Sequence, residues 1–131
     1  MNQGNDNISI QTLVKEKRND GKISCAELFN LVKEYAIFPD LLGQCVTHED
    51  IKITYCQLGL FGFENKKKIV EPAENVVEEL ENKIYSSLED GVLPCAASWV
   101  IAEELKIKKI DVASACEKFK IKIKKCQLGA F

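Results

Sequence analysis

The chain has 131 residues, with 18 Lys+Arg against 20 Asp+Glu, for a net charge of -2. Apolar residues make up 46% and charged residues 29%, a globular rather than a disordered composition. No apolar run reaches the roughly 18 residues of a membrane span, so no membrane association is expected. The polar opening MNQGNDN has neither a basic n-region nor an apolar h-region, so the expected compartment is cytoplasmic, where the six cysteines would be reduced thiols.

In chain order, a first helix is expected from about Ile8 to Asn19, stopped at Asp20-Gly21. A second opens at Ser24-Cys25-Ala26-Glu27, where Ser and Glu three apart make a capping box. A third begins near Pro39, and Ile51 and Ile53 then alternate with polar residues as in a short half-buried strand. GFENKKKIVE, from Gly62 to Glu71, reads as a linker.

Beyond it the same order of elements returns. A helix is expected from Pro72 to Glu89, with Pro and acid in its first turn and Val77, Leu80, Ile84 and Leu88 as its apolar stripe. Asp90-Gly91 stops it, Pro94 stands at the Ser24 position in a first helical turn, a third helix starts near Lys108, and Ile121 and Ile123 mark a strand. Residues 20–61 and 90–131 align without a gap at an offset of 70, with 14 identities in 42 positions, among them Cys-Gln-Leu-Gly at 56–59 and 126–129. That density reads as a tandem duplication. The expected fold is mainly α: two three-helix units, each followed by a short strand. The expected divisions are 1–63 for the first repeat, 64–71 for the linker and 72–131 for the second repeat. The two strands, Ile51–Cys56 and Ile121–Cys126, are candidates to pair with each other.

Helices two and three of the second copy carry Ile101, Ala102, Leu105, Ile107, Val112, Ala115 and Phe119 at the spacing of two helices crossing at a tight turn. The first copy has Leu31, Val32, Tyr35, Ile37, Leu42 and Cys45 at matching places. This pattern resembles the helix-turn-helix of bacterial transcription regulators, and the strand that follows is similar to the start of a winged helix. The turn position usually held by Gly is Lys106 in one copy and Ala36 in the other, Val32 is bulkier than the motif prefers, and Glu49 replaces Phe119. The resemblance implies a small DNA-binding regulator.

Charge separates the copies. Residues 106–125 hold eight lysines against Asp111 and Glu117, or +6, which leaves -8 for the rest. The matching window 36–55 carries -2. A basic patch on a candidate recognition helix is the electrostatic footprint of phosphate contact. The expected nucleic-acid-binding residues are Lys108, Lys109, Ser114 and Lys118 on that helix, with Lys122 and Lys124 on the outer strand face. A solvated lysine face is the alternative the composition leaves open, and the absence of Arg in the patch weakens guanine readout. The acidic first copy, with Phe38, Leu60, Phe61 and Phe63, suits a protein partner or a homodimer contact better than DNA. No small-molecule effector is identified.

Cys25 with Cys95, and Cys56 with Cys126, are repeat mates. They read either as small core residues or as a thiol site in a redox- or metal-responsive sensor. Their spacings match no metal-ligand pattern, so no cofactor or bound metal is expected. His48 is the only histidine, beside Glu49 and Asp50, and no phosphate loop or nucleophile elbow occurs, so no enzymatic activity is expected.

Overall fold

The computed structural model describes residues 9–63 and 68–130. They form six helices and four short strands: α1 (Ile10–Lys17), β1 (Lys22–Ser24), α2 (Cys25–Tyr35), α3 (Pro39–His48), β2 (Lys52–Thr54), α4 (Glu78–Ser86), β3 (Leu93–Pro94), α5 (Cys95–Leu105), α6 (Lys109–Phe119) and β4 (Ile123–Lys124). The fold is mainly helical, and none of the described helices is long and apolar enough to cross a membrane.

Two compact units divide the chain. The first runs to Cys56 and takes in Leu128–Ala130; the second spans Gln57–Gln127. The division falls after Cys56 rather than after residue 63, and residues 64–67 of the expected linker lie outside the described residues.

In the first unit α1, α2 and α3 pack on one another, with Val14, Leu28, Leu31, Leu42 and Val46 all but fully buried between them. α2 starts where local chemistry says it must. Ser24 Oγ accepts the Glu27 N–H at 3.1 Å, and Glu27 Oε1 accepts the Ser24 N–H at 3.3 Å, a reciprocal cap worth about 1 kcal/mol. The helix ends at Ala36, whose φ of 53° is left-handed. Tyr35, expected in the helix-turn-helix core, is 40% exposed.

In the second unit α4 packs on α5 and α6, around Ile84, Leu93, Ile101, Val112 and Cys116. α4 starts at Glu78, six residues later than the periodicity suggested. Val77 is its N-cap and 69% exposed, so the apolar stripe narrows to Leu80 and Ile84. The segment before it is not helical because it is used otherwise: the Ala73 N–H donates to the Ser114 carbonyl at 3.0 Å. Pro94 is the N-cap of α5 rather than part of its first turn, and it supplies no side-chain cap.

The strands do not pair as the sequence led us to expect. β2 pairs in parallel with β1, Ile23 opposite Ile53, and β4 pairs in parallel with β3, Leu93 opposite Ile123. Each post-helical strand thus returns beside the strand that leads into the second helix of its own unit. Among the described residues there is no hairpin after α6 of the kind a wing requires. β1 and β3 were missed at the sequence level, since two or three residues show no alternation.

The Gln-Leu-Gly segments serve as core plugs. In the first unit Leu128 is 3% exposed, and its backbone lies directly against Gly43 of α3. In the second, Leu58 is fully buried and Gly59, at φ +76°, lies close to Ile110 and Val70. The Gly59 carbonyl accepts the N–H groups of Ile69 and Val70 at 2.8 and 3.1 Å.

Candidate nucleic-acid interface

The lysines of the second unit fall into two sets, because helix geometry divides them. Lys106 ends α5 in a left-handed conformation (φ 57°) and Lys108 is the N-cap of α6, so both surround the α5–α6 turn. Lys109 opens α6, but its ammonium lies 4.5 Å from the centroid of the Trp99 ring, and the residue is half-buried. This cation–π contact ties up the charge that the sequence assigned to phosphate. Lys118 lies nine residues on, which at about 100° per residue is roughly the opposite side of the helix and some 14 Å further along. One continuous stripe over Lys108, Lys109, Ser114 and Lys118 is therefore not formed.

The second set gathers where α6 gives way to β4. Lys118 is in the last helical turn, Lys120 is the left-handed C-cap (φ 59°), and Lys122 and Lys124 point outward on either side of buried Ile123. Each of these four is exposed, and none forms an ion pair among the described residues. Lys118 and Lys120 also face the negative end of the helix dipole, which favours a cation there without any ligand. Lys125 is engaged: its Nζ lies 3.1 Å from Glu89. Glu117 is likewise satisfied, by Lys68 at 2.7 Å.

Ser114 is placed differently from the expectation. It is half-buried and lines an open cleft of about 330 Å³ with Ala73, Val76, Val77, Leu105 and Asp111. Its carbonyl is taken by Ala73. Ser114, expected on the nucleic-acid face, thus lines with Asp111 a cleft bordered by residues 73–77. Sequence reasoning had no signal for that cover, since it depends on where a non-helical segment lies.

The thiols do not assemble a metal centre. Among the described residues no group of three or more Cys, His, Asp or Glu is arranged to hold an ion. None of the six cysteines is in a disulfide; Cys25, Cys56, Cys95 and Cys116 are buried, and Cys45 and Cys126 are partly so. Burial, with a smaller contribution from Glu117, pushes the Cys116 thiol up to about 12. Burial and then Glu49 raise Cys45, against a lowering by Lys15. A thiol raised in the folded state stabilises it below the ordinary ionisation near 9 and loses that contribution as pH climbs toward 12. Stability is therefore expected to fall through that window. Cys116→Ala should flatten the decline in urea titrations at stepped alkaline pH; an unchanged slope would remove Cys116 as its source.

The Nε2 of Gln127 donates to Cys95 Sγ at 3.9 Å. His48 closes α3 and is exposed. No protein-family model matches the chain, and no curated protein or solved structure shows significant similarity to it.

Proposed function

We propose that this chain is a small DNA-binding protein of the transcription-regulator kind, built from a duplicated helix-turn-helix-like unit, in which the second unit grips the phosphate backbone. The reading is carried by the exposed lysines that have no ion-pair partner among the described residues, Lys106 and Lys108 at the α5–α6 turn and Lys118, Lys120, Lys122 and Lys124 at the α6–β4 end. Two clusters near the ends of an 11-residue helix, roughly 16 Å long, suit neighbouring phosphates of one duplex better than base edges. Duplication is supported by the local geometry: α2 and α5 are both 11 residues long, begin 70 residues apart and end in left-handed caps. Left-handed residues recur at the same offset at Asp20 and Asp90, Asp50 and Lys120, and Tyr55 and Lys125.

The test is fluorescence anisotropy with a labelled duplex, read as affinity against salt. Each phosphate neutralised contributes about 0.9 to the log–log slope, so Lys118→Ala, Lys122→Ala and Lys124→Ala together should flatten it by up to about 3. Ser114→Ala should leave it unchanged. No binding at low salt, or a slope indifferent to the triple substitution, would leave a protein-interaction module. That reading rests on Phe38, which is 73% exposed beside Leu41 in the first unit.

A further inference from the structure

We infer that the cleft beside α6 binds a small organic cation, an ammonium group carried on an apolar body. The cleft lies wholly within the second unit. Its volume of about 330 Å³ is at the lower end of the roughly 300–1,000 Å³ of ligand sites, which sets the occupant's size. One border is the non-helical segment 73–77, which the Ala73–Ser114 hydrogen bond ties to α6 at 3.0 Å.

The lining supplies the apolar half of recognition. Val76 of that segment, Leu80 of α4, Leu105 and Ile107 on either side of the α5–α6 turn, and Ala115 of α6 all contribute to it. Val77 also lines the cleft and is 69% exposed, so an apolar occupant takes part of its surface out of water.

The charged half has one sign. Glu79 of α4 and Asp111 of α6 line the cleft, and among the described residues no Lys, Arg or His does. Neither carboxylate has an ion-pair partner among the described residues. The lysines nearest in the chain are placed otherwise. Lys106 and Lys108 alternate with Leu105 and Ile107 along the turn, are exposed and take no part in the lining. Lys83 of α4 is paired with Glu104 at 3.2 Å, and Lys109 lies over the Trp99 ring. An anion entering the cleft would meet two carboxylates, and a neutral molecule would leave both unanswered, so the lining selects a cation. Both carboxylates are exposed, which limits each to about two- to fivefold in affinity.

The first unit serves as a control. Ser9 and Leu41 stand 70 residues before Glu79 and Asp111, so it lacks both carboxylates. The full chain, labelled with nitrogen-15, is titrated at neutral pH with 2-phenylethylamine and followed by amide chemical shifts. Two probes of similar shape, neutral 2-phenylethanol and anionic 3-phenylpropionate, are titrated in parallel. The amine should give saturable shifts at residues 76–80, 105–107 and 111–115, and none that saturate in the first unit. It should bind about tenfold more tightly than the alcohol, with the acid weaker still. Glu79→Gln combined with Asp111→Asn should bring the amine down to the affinity of the alcohol and leave the alcohol unchanged. Both substitutions replace exposed side chains, and the amide spectrum of the variant reports its fold directly. Absence of saturable shifts from the amine, shifts centred elsewhere, equal affinity for the three probes, or an amine affinity indifferent to the double substitution would overturn the inference.

Discussion

Gly43→Ala should lower the urea stability of the protein by about 1–3 kcal/mol, toward the upper end of that range. Gly43 is buried in the middle of α3. A methyl group placed there meets the carbonyl oxygen and carbon of Leu128 well inside contact distance. Overpacking is usually relieved by a side chain that swings aside, but these are backbone atoms and cannot. Either α3 shifts or residues 128–130 leave the first unit, and the second outcome also uncovers Leu128. Ala is ordinarily the better helix former by about 1 kcal/mol, so propensity alone predicts the opposite sign. Ala113, 70 residues further on, carries its methyl buried in α6, which makes the difference a matter of what lies opposite. A Gly43→Ala variant as stable as the parent would mean that Leu128 does not dock there.

Leu58→Ala is expected to cost about 2–5 kcal/mol, the range for emptying a closed apolar site. Leu58 is fully buried, and it anchors the turn at Gly59 that accepts the N–H groups of Ile69 and Val70. The loss should therefore appear locally as well as globally. Hydrogen exchange at the Ile69 and Val70 amides should accelerate by more than exchange within α5. A cost below about 1 kcal/mol, or uniform acceleration, would show that the segment lies on the surface of the unit without holding it together.

Several features were legible in the sequence because their causes lie within a few residues. The Ser24–Glu27 cap, Pro39 at the start of α3 and the Asp-Gly turns at 20–21 and 90–91 are of this kind. The lysine-rich segment was legible too, as a count. Its arrangement was not: the charge of Lys109 went to Trp99, that of Lys125 to Glu89, and Ser114 went under residues 73–77. Each outcome depends on a partner outside the local stretch of chain. α4 shows the same limit. Its apolar spacing extended back to Pro72, but Ala73 is hydrogen-bonded to Ser114, and no periodicity reveals such a competitor.

By itself the sequence marked, to within about a residue, where helices α2, α3, α5 and α6 begin and where the Asp-Gly pairs at 20–21 and 90–91 interrupt the chain, since capping and turn formation are settled over three or four residues. The tertiary structure alone decided which strands meet, Lys22 with Lys52 and Leu93 with Ile123, and which unit each Gln-Leu-Gly segment completes. It also decided which lysines remain unpaired. These are choices among partners some thirty to eighty-five residues away, such as Leu93 with Ile123 and Gly43 with Leu128. Shape, burial and charge separate those partners only once the units have closed.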